Sequence, residues 1–193
     1  MADGRLMARL VHLNGPPGIG KSTLSALYAD RNPGTLNLDV DTLHRLVGGW
    51  QDEDTDTWPV VWSLVRAMAA AHLDGGRDVV LPQYLAGIAE IASFERLARE
   101  HGAGFCEVVL LDDREAAIER FNRRARDSDD PWIRHQHRLI ELSGGSEVLG
   151  TMYDNLMEIV RLRPAAVVVP SAAGAVQETF ELLADALREP VSS

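Results

Sequence analysis

The chain has 193 residues, 46% of them hydrophobic, and a formal net charge of −10. This length and composition predict a single domain over residues 1–193 with a sizeable core. The acidic balance argues against a general nucleic-acid binder, and the single cysteine, Cys106, excludes an internal disulfide framework. Without a signal-like apolar core at the N-terminus or an apolar run of the roughly 20 residues that a membrane span needs, we expect a cytoplasmic protein without membrane contact.

Short apolar runs alternate with amphipathic stretches along the chain, which is typical of βαβ units around a parallel sheet. The predicted strands cover residues 8–14, 34–40, 78–85, 105–111 and 165–170. The predicted helices cover residues 20–31, 41–48, 58–73, 89–102, 114–126, 147–163 and 175–189, with one more from a polar break at 127–131 to about 142. The acidic segment 51–56 is predicted to be a solvated loop that caps the helix after it. An α/β protein follows from this alternation.

The stretch from Gly15 to Ser22, GPPGIGKS, has the spacing G-x-x-x-x-G-K-S of a loop that wraps the phosphates of ATP or GTP. Its glycines permit a tight turn and a close approach of backbone to phosphate, whereas Pro16 and Pro17 offer no N–H. The amides from Gly18 to Ser22 must therefore bind the anion, at the N-terminus of the next helix. The predicted nucleotide-binding residues of this loop are Gly15, Gly18, Ile19, Gly20, Lys21, Ser22 and Thr23.

Three side chains of this loop have separate predicted roles. Lys21 is predicted to reach the β- and γ-phosphates, and the hydroxyl of Ser22 is predicted to bind Mg²⁺. Thr23 is predicted to help hold the α-phosphate. The loop follows an apolar strand and opens a helix, which is the context that this motif requires.

Two carboxylates follow at the end of the second predicted strand, in the stretch NLDVDTLHRL. Asp39 and Asp41 are two residues apart, so their side chains can point the same way where ligands bind in open α/β sheets. One carboxylate would orient or deprotonate an attacking hydroxyl, and the other would hold water around Mg²⁺. The alternative is that Asp41 caps the helix starting at Thr42, and one residue can do both.

Together, the segments GPPGIGKST and LDVDTLHRL resemble the P-loop kinases of the nucleoside-monophosphate-kinase-like group. This group includes small proteins labelled AAA-family ATPases, chloramphenicol phosphotransferase, shikimate kinase, polynucleotide 5′-hydroxyl kinase and the zeta-type toxins. The resemblance covers most of the chain in element order. It implies a P-loop NTPase three-layer αβα sandwich with a five-stranded parallel sheet in the order 2-3-1-4-5. It also implies Asp41 as the general base, Asp39 near Mg²⁺, and an arginine-bearing lid over the phosphates.

The candidate lid covers residues 119–142 and begins with an arginine-rich helix. Residues 120–138 contain six arginines and three aspartates, a local charge of +3 in an acidic chain. Arg120 and Arg124 lie four apart on one helix face, and guanidinium groups bind phosphoryl oxygens bidentately. We predict that these two arginines stabilise the charge during transfer and that Arg126 binds the nucleotide. The alternative for each arginine is a solvated helix face with scattered ion pairs.

Two further features each carry two interpretations. Trp50, Trp58 and Trp62 fall between the second and third strands, where they either form an acceptor wall or pack in the core, which is the favoured interpretation. Asp112 follows the fourth strand, where it either holds Mg²⁺, as in motor-type ATPases, or forms a capping box with Glu115, which is favoured.

These patterns predict an ATP- and Mg²⁺-dependent phosphotransferase that moves the γ-phosphate to a hydroxyl of a small molecule, such as an antibiotic, nucleoside, sugar or metabolite. GTP is the alternative donor. A polynucleotide 5′-hydroxyl kinase is one alternative function, since Arg45 follows Asp41 by four residues, but the acidic balance disfavours a nucleic-acid acceptor. A nucleotide-dependent switch ATPase acting on a partner protein is the other.

Overall fold

The strands form one parallel sheet of five strands in the order β2-β3-β1-β4-β5. The computed structural model describes residues 7–52 and 54–188. The strands are β1 (Arg9–Asn14), β2 (Leu36–Asn37), β3 (Val79–Leu81), β4 (Gly104–Leu111) and β5 (Val167–Pro170). The helices are α1 (Lys21–Arg31), α2 (Val40–His44), α3 (Trp58–Asp74), α4 (Ile88–Glu100), α5 (Arg114–Asp127), α6 (Pro131–Ser143), α7 (Ser146–Leu162) and α8 (Val176–Ala186). None of these helices, within the described ranges, is long and apolar enough to cross a membrane. The predicted fold class and strand order are confirmed.

The central strand β1 is buried on both faces because helices cover both sides of the sheet. Leu10 belongs to an apolar cluster that includes Phe94 of α4, and Val11 belongs to a second cluster that includes Phe180 of α8. Neighbouring side chains of a strand point to opposite faces, so β1 contributes to both clusters. This packing fixes the carboxyl end of β1, from which the phosphate loop departs.

The second strand is shorter than predicted, with β2 ending at Asn37 rather than residue 40. Asp39 has an extended backbone and accepts a hydrogen bond from the Thr42 amide, so α2 begins at Val40. The early helix start places the next carboxylate, Asp41, in the first turn of a helix rather than at the end of a strand.

The predicted lid corresponds to the second half of α5, a short break, and α6. Asp130 accepts a hydrogen bond from the Trp132 amide at 2.8 Å and caps α6. The α5 backbone passes so close to the phosphate loop that a Cβ on Gly18 would lie 3.0 Å from the Cα of Phe121. The first lid helix therefore packs directly on the loop.

Candidate active site

A cavity of about 790 Å³ lies at the carboxyl edge of the sheet, where ligands bind in open α/β folds. The phosphate loop forms one end of the cavity. Further lining residues come from α2, Trp50, Asp52, residues 54–58, the segment after β3, α5, α6, α7 and α8. The predicted site residues that line it are Gly18, Ile19, Gly20, Lys21, Ser22, Thr23, Asp41, Arg120 and Arg124. The predicted site residues outside its lining are Gly15, Asp39 and Arg126.

The phosphate loop has the backbone that its glycines permit. Gly18 and Gly20 have φ angles of +80° and +109°, in the left-handed region that other residues rarely adopt. Between them, the side chain of Ile19 is buried in the core, and its amide donates to the Pro16 carbonyl at 3.3 Å. Gly20 is the cap residue of α1, so the first amides of that helix have no partner in the helix and border the cavity. An anion at this end would bind them.

Lys21 is held against the loop by two backbone oxygens. Its ammonium group donates to the carbonyls of Gly15 at 2.7 Å and Pro16 at 2.9 Å. Burial lowers the pKa of Lys21 to about 8; the Arg124 charge acts in the same direction, and the Asp41 carboxylate opposes it. A bound phosphate would stabilise the charged form of this amine.

The two carboxylates of the predicted site have different roles. Asp39 is the cap of α2, with Oδ1 3.0 Å from the Thr42 amide, so the alternative that Asp41 provides this cap is wrong. Asp41 lines the cavity, and its Oδ2 accepts a hydrogen bond from Nε2 of Gln136 at 3.0 Å. Burial and the neighbouring Asp39 charge raise the pKa of Asp41, against the lowering effect of Lys21 and of hydrogen-bond donors. Asp41 is therefore a cavity carboxylate with an increased affinity for a proton.

Two residues of α6 approach Asp41 and were not predicted as site residues. Gln136 donates the hydrogen bond, and the indole of Trp132 lies near enough to lower the pKa of Asp41. The Trp132 side chain is 5% exposed, and its Nε1 lacks a partner with hydrogen-bond geometry in the described part of the chain. Their four-residue spacing on one helix face is the sequence signal that marks them as a pair.

The lid arginines fall into three different settings. Arg120 donates to the carbonyls of Ile19, at 2.9 Å, and of Ser171, and it therefore ties the phosphate loop to the end of β5. Arg124 is exposed, lines the cavity, and has no hydrogen-bond partner among residues 7–52 and 54–188. Arg126 is exposed and lies outside the cavity lining. Only Arg124 combines a cavity position with an uncommitted guanidinium group.

Two residues considered for the alternative functions are engaged elsewhere. Asp112 pairs with Arg120 at 3.3 Å and does not line the cavity. The cap residue of α5 is Asp113, without a side-chain cap bond, so the favoured capping box is wrong. Arg45 pairs with Asp130 at 3.1 Å and also lies outside the cavity lining.

Five aromatic rings form one continuous surface of the cavity, which we name the aromatic wall. Its members are His44, Trp50, Trp58, Trp132 and His135, and all of them line the cavity. The ring centroids of Trp58 and His44 are 4.2 Å apart, and those of His44 and Trp132 are 5.2 Å apart. Trp50 continues the wall, 5.2 Å from Trp132 and 5.6 Å from His135. Thus α2, α3, α6 and the segment before α3 meet at one aromatic surface.

The predicted core packing applies to only one of the three clustered tryptophans. Trp62 packs against the core cluster and lies 6.1 Å from the Phe94 ring. Trp50 and Trp58 instead line the cavity, and Trp58 is 37% exposed. For these two residues the favoured interpretation is wrong, and the acceptor-wall alternative fits their position.

The residues at the phosphate end fit a magnesium ion shared with a nucleotide. Across the described residues, no group of three or more His, Cys, Asp or Glu side chains could hold a metal ion. Mg²⁺ is commonly bound by one or two protein oxygens together with water and substrate phosphates. Ser22 lines the cavity, where its hydroxyl would bind the ion, whereas Asp39 lies outside the lining and uses one carboxylate oxygen in its cap.

The strand order and the phosphate loop at the carboxyl edge of the sheet define a P-loop NTPase fold. A family model described as AAA domain matches residues 10–142. Since this match covers more than half of the sequence, the chain belongs to the AAA domain family. A sequence comparison with curated proteins gave no match.

Solved structures of two kinases and of a resistance protein share this fold. A gluconokinase from Sinorhizobium meliloti 1021 is 20% identical, with a TM-score of 0.58 over 95% of this chain and 97% of that chain. An APS kinase from Mycobacterium tuberculosis is 15% identical, with a TM-score of 0.53 over 95% and 99%. The tunicamycin resistance protein of Deinococcus radiodurans is 15% identical, with a TM-score of 0.64 over 96% and 99%. The resemblance to P-loop kinases is confirmed, and at these identities it concerns the fold.

Proposed function

We propose that this protein is an ATP- and Mg²⁺-dependent phosphotransferase that moves the γ-phosphate to a hydroxyl of a small molecule. The observation that supports the proposal is that the Asp41 carboxylate lines the same cavity as Lys21 and the phosphate loop. A carboxylate at this position can serve an attacking hydroxyl. The half-buried Asp41 carboxylate shares the cavity with the phosphate loop, which favours a role toward an acceptor over nucleotide binding alone.

In the proposed complex, the amides from Gly18 to Ser22 and the ammonium group of Lys21 bind the phosphates. Thr23 lies on the same cavity surface, where it would contact the α-phosphate. Mg²⁺, held by the Ser22 hydroxyl and the phosphates with Asp39 in contact through water, would neutralise charge on the β- and γ-phosphates.

In the transfer step, the acceptor oxygen forms a bond to the γ-phosphorus while the bond from that phosphorus to the bridging oxygen of ADP breaks. The hydroxyl proton passes to the carboxylate of Asp41, and the raised pKa of Asp41 makes this transfer more favourable than to an exposed aspartate. Lys21 and Arg124 stabilise the charge that spreads over the phosphoryl oxygens. Gln136 orients the carboxylate through its hydrogen bond.

The proposal is tested by following the phosphate with ³¹P NMR. The protein is mixed with ATP, Mg²⁺ and separate pools of nucleosides, sugars, aminoglycoside and phenicol antibiotics, or 5′-hydroxyl oligonucleotides. We expect a phosphomonoester signal in a small-molecule pool, formed in step with ADP and lost in the Lys21→Ala variant. Inorganic phosphate alone, at one rate in every pool, would support the switch ATPase instead. A signal confined to the oligonucleotides would support the polynucleotide kinase.

A further inference from the structure

We propose that the acceptor is a hydroxyl-bearing ring compound with positively charged amino groups, bound between the aromatic wall and the carboxylates of Asp52, Asp54 and Asp56 in the acidic segment. This inference rests on the proposed function for the identity of the reacting hydroxyl. Four sets of contacts in the cavity support it.

The aromatic wall begins beside the residue proposed as the base. His44 follows Asp41 by three positions on α2, and both line the cavity. Residues three apart on a helix are neighbours, so a molecule on the wall can present a hydroxyl to Asp41. The indole faces of Trp50, Trp58 and Trp132 suit the faces of rings and bind cations through their π-electrons.

The acidic segment supplies carboxylates to the same cavity. Asp52, Asp54 and Asp56 are exposed, line the cavity, and form no ion pair with any Lys, Arg or His in the described ranges. Asp52 accepts hydrogen bonds from the Asp54 amide at 3.1 Å and the Thr55 hydroxyl at 2.7 Å, and Asp56 accepts one from the Trp58 amide at 3.2 Å. These local bonds hold Asp52 and Asp56 in place, and none of the three carboxylates is neutralised by a cationic side chain in the described ranges.

The charged residues of the cavity are separated by sign. The Lys and Arg residues that line it, Lys21, Arg120 and Arg124, come from the phosphate loop and α5. The lining carboxylates come from α2 and the acidic segment. An anionic acceptor would therefore meet uncompensated carboxylates, whereas a cationic acceptor would be attracted to them. A metal ion is a poor alternative occupant, because these carboxylates form no metal-binding group of three or more among the described residues.

One buried polar atom of the wall lacks a hydrogen-bond partner. His44 is 4% exposed and lines the cavity. Its Nε2 is 2.6 Å from the Thr57 hydroxyl, and within the described part of the chain its Nδ1 has no hydrogen-bond partner. Buried polar atoms are normally satisfied, so an unpaired nitrogen in a ring that lines the cavity favours a polar ligand there.

Tryptophan fluorescence tests this binding without turnover, because three of the four tryptophans belong to the wall. The full chain, without ATP, is titrated with neamine, a two-ring amino polyol, with its fully N-acetylated form, and with digalacturonate. We expect saturable quenching by neamine, with a Kd at least about tenfold below that of the acetylated form and weakened by salt. We expect no saturable quenching by digalacturonate. Equal or tighter binding of the neutral or acidic compound would overturn the inference.

Two charge-matched triple variants separate the acidic segment from overall charge. The first variant combines Asp52→Asn, Asp54→Asn and Asp56→Asn. The control variant removes three exposed carboxylates that do not line the cavity, with Asp30→Asn, Glu100→Gln and Glu178→Gln. We expect the first to raise the Kd for neamine about tenfold and the control to change it less than about twofold. Equal effects would overturn the inference, and thermal melting checks that both variants fold.

The outcomes distinguish this inference from the proposed function. Phosphate transfer to neutral or acidic acceptors, without neamine binding, would refute the cationic acceptor and support the phosphotransferase activity. Saturable neamine binding through the acidic segment, without phosphate transfer to any hydroxyl, would support the amine-binding site and refute the phosphotransferase activity.

Discussion

The substitution Asp41→Asn removes the proposed base while it keeps the size and shape of the side chain. An asparagine can still accept the hydrogen bond from Gln136 through its carbonyl oxygen. It cannot take the hydroxyl proton at neutral pH. Since a positioned general base contributes about 10²–10⁴-fold, we expect kcat to fall by that factor, which corresponds to about 2.7–5.5 kcal/mol in the activation barrier.

Nucleotide binding should change little in this variant. The Asp41 charge raises the pKa of Lys21, so the substitution lowers a pKa that is already about 8. Since bound phosphates favour the charged form of Lys21, we expect the Kd for ATP, measured by calorimetry with a non-hydrolysable analogue, to change by less than about threefold. Removal of a carboxylate from the cavity also lessens repulsion of the phosphates.

The matched control is Asp30→Asn, which removes the same charge from an exposed position of α1 outside the cavity. It should retain wild-type kcat, Kd and melting temperature. An Asp41→Asn variant that kept more than about a tenth of wild-type kcat would refute the role of Asp41 as the base. A variant that lost nucleotide binding or melted early would show that the carboxylate is structural.

Three further tests, each with a comparison variant, concern the phosphate end of the cavity. The affinity for ATP should be constant below pH 8, and above pH 8 it should fall by up to about tenfold per pH unit as Lys21 loses its proton. Calorimetry across this pH range measures the affinity, and the Lys21→Arg variant should show no such fall. Gly18→Ala should lower the free energy of unfolding, measured with denaturant, by about 2–3 kcal/mol, because Gly18 has a φ of +80° and a Cβ there would lie 3.0 Å from the α5 backbone. The comparison variant is Gly150→Ala, where the added Cβ would meet only the end of a flexible side chain. It should change the free energy of unfolding by less than about 1 kcal/mol. Arg120→Ala should lower the free energy of unfolding by about 1–3 kcal/mol because the Ser171 carbonyl and the partly buried Asp112 carboxylate lose the donor that Arg120 supplies. Arg124→Ala should leave it within about 0.5 kcal/mol and reduce kcat instead.

The phosphate loop could be predicted because it depends on residues close together in the sequence, whereas the strand order came from the resemblance to P-loop kinases. The glycine spacing, the lysine and the helix that follows are contiguous, and the alternation of apolar runs indicates a parallel sheet. The roles of Asp39 and Asp41 depend on the residue at which α2 begins. The helix begins at Val40, whereas the predicted second strand extends to residue 40. Once Asp39 caps the helix, Asp41 enters its first turn and lines the cavity.

The aromatic wall could not be predicted in this way, because it joins rings far apart in the sequence. Trp132 meets His44 only when α6 lies over α2, and no local pattern encodes that contact. The same limit explains Asp112, whose partner Arg120 lies two turns along the following helix. A capping box and an ion pair both satisfy the local pattern there, and the packing of α5 decides between them.

The aromatic wall also separates the choice of acceptor from the maintenance of the fold. Its five rings come from α2, the segment before α3, the first residue of α3 and α6, and none of them belongs to either apolar cluster around the sheet. A substitution of the exposed Trp58 therefore alters the surface that the acceptor meets without opening a cavity in the core. New acceptor preferences can arise here by single replacements, while the sheet and the phosphate loop remain as they are.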